Sequence, residues 1–254
     1  MRKITWLGGS SEKAVERFAV NNILFELDHQ DYKKKTTKEL VLLCKTSRLL
    51  KSYIEIFSKH RCSKILEFGI FEGGSALFCA SLLDNLEKIV SVDLRPFNPV
   101  VDKIIRQNNM QEQVKLYYGM RQDSPDIKKI AREEFAGQID IIIDDCSHSY
   151  GPTKASFEMM FPLLSPGGLY IIEDWAWAHW PGYQSKGSTF SNEPALTNLI
   201  FELISLRGTH QEWFQDITIK NVSMVVIQKG NAAIAEPMDI AGSTLMRGKR
   251  LQPI

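Results

Sequence analysis

No stretch of this 254-residue chain is apolar for long enough to span a bilayer, which excludes a transmembrane helix. Charge of one sign is not in excess either, with 31 Lys and Arg against 30 Asp and Glu. A nucleic-acid backbone or a polyphosphate calls for a surplus of bases, so a small or neutral molecule is the expected partner. Cysteine is scarce. Cys44, Cys62, Cys79 and Cys146 form no CxxC pair and keep no regular spacing, which argues against a disulfide framework or a zinc site. The opening MRKITWLGGSSEKAVERF lacks the apolar run of a secretory leader. With reduced thiols, the expectation is a cytoplasmic protein. Internal repeats and low-complexity tracts are absent. What remains, 44% apolar and 24% charged residues, is ordinary globular composition.

The first sixty residues read as helical. Val15, Phe18, Ala19, Ile23 and Leu24 recur at three- and four-residue steps over 14–27. Over 37–59, Leu40, Leu43, Cys44, Leu49, Leu50, Ile54 and Phe57 share roughly one face. The polar run 31–37 between them reads as a loop carrying a helix N-cap near its end. From Lys64 the pattern changes to short apolar runs, at 64–68, 88–92, 114–118, 139–143 and 168–172. Helix-like stretches lie between them, near 74–83, 100–108, 125–134 and 156–163. Strands alternating with helices predict a parallel sheet. Runs 213–220 and 223–229 are too close together for a helical crossover and predict an antiparallel pair. The expected architecture is α/β and Rossmann-like, with a mostly parallel seven-stranded sheet and an antiparallel C-terminal hairpin. Its expected divisions are an N-terminal helical extension (1–60), a cofactor-binding domain (61–232) and a C-terminal tail (233–254).

The first strand runs into glycines in Glu67-Phe-Gly-Ile-Phe-Glu-Gly-Gly-Ser75. Glycine lets the backbone turn tightly and approach a ligand. The pattern E-x-G-x-x-x-G-G is not the G-x-G-x-x-G that cradles a pyrophosphate in NAD sites. It points to S-adenosylmethionine, whose sulfonium carries none. Glu67 accepts from the methionine amino group or holds the loop, and Gly69, Gly73 and Ser75 complete the turn. The next strand ends at Asp93, 26 positions on (93 − 67), near the interval for a ribose-binding carboxylate. Read alone, Asp93 has a plainer reading as a loop acid or an N-cap, which the neighbouring glycine loop disfavours. Asp123, after the third strand, is placed to read the adenine amino group, and Asp144 is assigned to the same cofactor side.

Ile139-Asp-Ile-Ile-Ile-Asp-Asp-Cys-Ser-His148 delivers acids and a histidine at a strand's carboxyl end, and Gly167-Gly-Leu-Tyr-Ile-Ile-Glu-Asp174 delivers two more acids. Ligands bind beyond the carboxyl ends of strands in open α/β sheets, so these groups are expected to meet. Converging carboxylates repel unless a cation joins them. All-oxygen ligation favours Mg2+, Ca2+ or Mn2+ over zinc. Asp145, Glu173 and Asp174 are the expected ligands, with His148 the base for a hydroxyl proton beside Asp145. The aromatic stretch that follows, with Trp175, His179, Trp180 and Tyr183, suits the flat apolar face of a substrate, and the polar 184–193 suits a lid.

With these residues in place, the chain resembles the family that groups macrolide sugar O-methyltransferases of the mycinamicin type with cephalosporin-hydroxylase-like proteins. The resemblance covers roughly 60–185. It is carried by LEFGIFEGGS, by IDIIIDDCSH and most specifically by FPLLSPGGLYIIEDWAWAHWPGY. It implies the class I methyltransferase fold, magnesium on Asp145, Glu173 and Asp174, a base at His148, and a glycoside or secondary metabolite as acceptor. Cys146 stands where the family pattern leads one to expect glycine. The short N-terminal region departs from members that carry a separate auxiliary domain, and self-association into a homo-oligomer is expected. Two rival readings stand: an oxidoreductase-related enzyme like the cephalosporin hydroxylases, and a non-catalytic cofactor-binding subunit. Non-haem iron usually takes two histidines and one carboxylate, and carboxylates dominate here.

Overall fold

The computed structural model describes residues 1–7, 16–188 and 191–249. The chain divides into two units, Met1–Arg121 and Gln122–Ile254.

The first unit opens with strands, not helices. β1 (Thr5–Trp6), β2 (Glu16–Val20), β3 (Ile23–Leu27) and β4 (Val41–Leu43) form a small sheet in that order, antiparallel except for β3 beside β4. The helix expected over 14–27 is therefore a hairpin, although residues 14 and 15 of that stretch lie outside the described residues. Its turn is Asn21-Asn22, both at positive φ (49° and 65°), the two-residue geometry that matches strand twist and that asparagine tolerates. Burial at Phe18, Val20, Ile23, Phe25 and Leu27 follows a two-residue period on each strand. Phe18 and Phe25 stack at 5.3 Å, and each meets Phe78 in a T-shaped arrangement.

The helix expected over 37–59 is shorter as well: α1 spans Ser47–Lys59 and is capped by Thr46, whose hydroxyl accepts from Leu49 N–H at 3.1 Å. The expected extension is thus a small sheet followed by one helix. Next come β5 (Lys64–Phe68), α2 (Gly74–Leu82), β6 (Lys88–Asp93), α3 (Pro99–Gln107) and β7 (Val114–Tyr118), with β5, β6 and β7 paired in parallel. Gly74 lets α2 lie directly on β4, because a Cβ there would overlap the Leu42 carbonyl.

In the second unit, α4 (Asp126–Phe135), β8 (Ile139–Asp144), α5 (Tyr150–Met160) and β9 (Leu164–Glu173) follow in order. Then come α6 (Thr197–Thr209), β10 (Phe214–Asn221), β11 (Met224–Lys229) and the short α7 (Ile240–Ser243). β8 and β9 are parallel, while β11 runs antiparallel to both β9 and β10, as the short connection predicts. Stacked rings of Phe157, Phe161 and Phe214, with Tyr170 beside them, fill this unit's core. α6 has no counterpart among the expected helices. It is apolar on most sides, with Leu199, Ile200, Leu203 and Leu206 buried and Phe201 and Ile204 exposed, so no polar face marks its period. The seven strands, mostly parallel with an antiparallel end, make an α/β Rossmann-like fold. Among the described residues, no helix is long and apolar enough to cross a membrane.

Candidate functional site

In the first unit β5 ends in a loop built on positive φ. Gly69 (104°), Phe71 (47°) and Gly73 (76°) all lie in the region that disfavours a side chain. Gly73 has a second reason to be glycine: a Cβ would stand 2.6 Å from a Val101 methyl on α3. Asp93, at the end of β6, gathers this loop. One carboxylate oxygen accepts from the N–H groups of Ile70 (2.8 Å) and Phe71 (2.9 Å), and the other accepts from Arg95 N–H (3.0 Å). A carboxylate offers roughly four acceptor positions, so Asp93 spends most of its capacity on the backbone. Glu67 is buried and accepts from the Ser91 hydroxyl on the paired strand at 2.6 Å. Ser75 is half-buried in the first turn of α2.

Glu72, which was not singled out from the sequence, is the second organiser of this loop. Its carboxylate accepts from Lys35 Nζ (2.8 Å), Thr36 N–H (3.2 Å) and Asn98 Nδ2 (3.3 Å), so residues 35–36 are tied to the start of α3. The Arg95 guanidinium lies over the Phe71 ring at 4.4 Å. A cavity of about 280 Å3 opens among these side chains.

In the second unit, Asp145, His148 and Asp174 converge: one ligand atom from each lies within 4.8 Å of the others. His148 Nε2 stands 3.8 Å from an Asp145 oxygen, and both side chains are about a quarter exposed. The two strand ends thus meet as expected. Glu173, in contrast, is buried at 2% exposure at the end of β9 and is not part of this cluster. His148 (φ 54°) and Asp174 (φ 48°) both occupy the left-handed region without being glycine.

Asp144 is fully enclosed. It accepts from Tyr170 Oη (2.9 Å), Ser156 Oγ (2.9 Å) and Gln122 Nε2 (3.2 Å). Burial pushes its carboxyl up to about 6, against the lowering effect of the Tyr170 and Ser156 hydroxyls. Gln122 then turns its carbonyl to Ser147 N–H at 3.0 Å and so carries the network into the loop that bears His148. The structure accordingly gives Asp144, expected on the cofactor side, a place inside the protein's own hydrogen-bond network. Asp123, next to Gln122, is half-buried.

The aromatic stretch is mostly engaged with the protein. Trp175 Nε1 donates to Asn221 C=O (3.3 Å), and His179 Nε2 lies 2.7 Å from Thr197 Oγ1. Trp177, which no motif marks as a site residue, is buried and donates from Nε1 to the His148 carbonyl at 2.7 Å. Tyr183 packs between Trp177 and Trp180, with centroids 5.5 and 6.2 Å away. Of the polar segment 184–193, residues 189 and 190 lie outside the described residues, as do 250–254 of the tail. Nothing in the spacing marks Gln122 or Glu72. For Trp177, the dense run of tryptophans is a signal, but not one that separates a buried ring from a substrate-facing one.

A family model described as a methyltransferase domain matches residues 66–175. The matched segment contains every residue expected to serve the cofactor and the metal, from Glu67 to Asp174. The chain is 48% identical over 63 residues to L-olivosyl-oleandolide 3-O-methyltransferase of Streptomyces antibioticus, covering 25% of this chain and 16% of that protein. It is 41% identical over 70 residues to mycinamicin VI 2''-O-methyltransferase of Micromonospora griseorubida, covering 28% and 17%. These stretches span about a sixth of those relatives' lengths. Among solved structures, the MycE methyltransferase from the mycinamycin biosynthetic pathway, in complex with Mg and SAH, superposes with a TM-score of 0.53. Identity there is 22%, over 73% of this chain and 49% of that one, which shows that the two share a fold over that stretch.

Proposed function

We propose that residues 61–232 form an S-adenosylmethionine-dependent O-methyltransferase that acts, with Mg2+, on a hydroxyl of a sugar or glycosylated natural product. The convergence of Asp145, His148 and Asp174 carries this reading. Two carboxylates and an imidazole within reach of one point, each partly exposed, suit a hard cation beside a base better than a structural contact. The relatives' names suggest the acceptor class, since the two reported above are named as O-methyltransferases of L-olivosyl-oleandolide and of mycinamicin VI.

S-adenosylmethionine, when bound, supplies an electrophilic methyl group, and a divalent cation makes the acceptor hydroxyl more acidic. In the first unit, the Gly69–Gly73 loop, Glu67, Ser75 and Asp93 would hold the adenosyl cofactor. With three backbone donors already on Asp93, a single ribose hydroxyl is the natural addition to its carboxylate. In the second unit, Asp145 and Asp174 would hold the cation, and Glu173, next to Asp174 at the end of β9, would complete the set. His148 Nε2 would take the proton of the acceptor hydroxyl, and Asp145 at 3.8 Å would stabilise the imidazolium that results. Trp180 and Tyr183, at the start of the polar segment, would meet the sugar. We further propose that the protein acts as a homo-oligomer.

The test is transfer of a labelled methyl group from S-adenosylmethionine to a panel of deoxysugar and rhamnosyl glycosides, with aglycones as controls. O-methylation of a glycoside is expected, and His148→Ala should abolish it while S-adenosylhomocysteine still binds. Retained turnover in that variant would remove His148 as the base, and label on the aglycone controls would reject the acceptor class.

A further inference from the structure

His148 and Asp174 share an unusual property: both lie at positive φ, and neither is a glycine (54° and 48°). A side chain persists there only where its surroundings hold it. Both carbonyls are held by the same residue. Trp177 donates its indole N–H to the His148 carbonyl at 2.7 Å and its backbone N–H to the Asp174 carbonyl at 3.4 Å. It is itself fixed, since it is only 5% exposed, sits in the short 3-10 turn Trp177–His179 and packs on Tyr183. On the other side of the loop, Gln122 accepts the Ser147 N–H at 3.0 Å, so the backbone is gripped on both flanks of the Ser147–His148 peptide.

We propose that Trp177 is a positioning residue for this site: its two donors lock the β8 and β9 loops into the one backbone conformation that brings His148, Asp145 and Asp174 together. This rests on the metal-assisted reading given above. Phenylalanine would fill the same space but could not hold the His148 carbonyl, so the indole N–H is the atom that matters. Without it, the loop relaxes toward ordinary negative φ at His148 and the imidazole leaves the carboxylates. Partners one shell out from a metal's ligands commonly set its affinity by tenfold or more.

The experiment compares the wild-type chain with Trp177→Phe and with benzothienylalanine incorporated at position 177, which keeps the indole's shape and removes only its N–H. Hydrogen-exchange mass spectrometry reads the 145–150 loop in the metal-free protein, and electron paramagnetic resonance reads the affinity for Mn2+ alone. In both variants we expect loop exchange to rise and Mn2+ affinity to fall, each by about tenfold. Exchange in β5 and β9, and binding of S-adenosylhomocysteine, should stay within about twofold of wild type, as local loss of one hydrogen bond implies. Loop exchange equal to wild type overturns the proposal. A rise shared equally by β8 and β9 overturns it too, since it marks a general packing role, as does faster loop exchange with Mn2+ affinity unchanged. If the wild-type chain binds no Mn2+, the metal reading fails separately, and loop exchange alone decides whether Trp177 is a brace.

Discussion

The glycine loop of the first unit and the acid–histidine loops of the second solve one problem in opposite ways. Each must hold backbone at positive φ. In the Gly69–Gly73 loop two of the three such positions are glycines, and the third, Phe71, has its N–H held by Asp93. A carboxylate collects donors. In the second unit's loops the positions are His148 and Asp174, whose side chains the proposed chemistry requires, so under that reading glycine is not an option there. Here a donor, the Trp177 indole and backbone, collects carbonyls. The difference teaches that a loop which only shapes itself to a ligand can use conformational freedom, whereas a loop that presents reactive groups needs neighbours to enforce its shape.

The largest expected effect lies in the second region. His148→Asn puts in a residue that tolerates positive φ but is no base, so methyl transfer should fall by roughly 10²–10⁴-fold, with the thermal midpoint nearly unchanged. A large fall in the midpoint instead would mean that the imidazole is holding the loop. In the first region, Asp93→Ala removes three charge-assisted hydrogen bonds and should cost on the order of 3 kcal/mol by chemical denaturation, together with most of the S-adenosylhomocysteine affinity. If stability holds and only binding is lost, Asp93 serves the ligand alone and the comparison breaks. Gly73→Ala should cost about 1–2 kcal/mol from backbone strain, with the Val101 methyl adding to it.

The smallest effect lies away from both loops. Lys128 at 2.9 Å and Arg132 at 2.7 Å hold the Glu236 carboxyl below its ordinary value of 4.5. A depressed folded value means that this stabilisation is complete above about pH 4.5 and fades as pH falls through the lower folded value. Glu236→Gln should therefore lose under about 1 kcal/mol near neutrality, and the difference from wild type should vanish in acid. An equal loss at all pH values would mean that packing, not charge, is what Glu236 supplies.

What could be read in the sequence follows from how each element is buried. β5 and β7 are legible at the bounds they occupy, because each is a short, mostly apolar run that stops at a glycine, Gly69 or Gly119. The β2–β3 hairpin resembles a helix in sequence because Phe18, Ala19, Ile23 and Leu24 also fit a helical step, and Asn21-Asn22 is the turn signal that separates the two. β4 was absorbed into the helix after it, since three buried residues have no period of their own. α6 escaped for the opposite reason, an apolar residue on nearly every side.

At the site, the motif residues Asp145, His148 and Asp174 were legible, and they do converge. Gln122 and Glu72 were not. Their roles come from hydrogen bonds to backbone that is distant in sequence, which leaves no mark on local pattern. Trp177 shows a subtler limit, because aromatic richness announces a special segment without saying which rings turn inward.

The most direct test of the account is methyl transfer from 13C-methyl-labelled S-adenosylmethionine to a glycoside acceptor, measured after rigorous chelation and again after adding Mg2+. The account predicts no transfer from the chelated protein, recovery with Mg2+, and a product whose new carbon resonance is that of a methyl ether on the sugar. Transfer at the full rate without any divalent cation, or a label found on nitrogen or carbon, would contradict it.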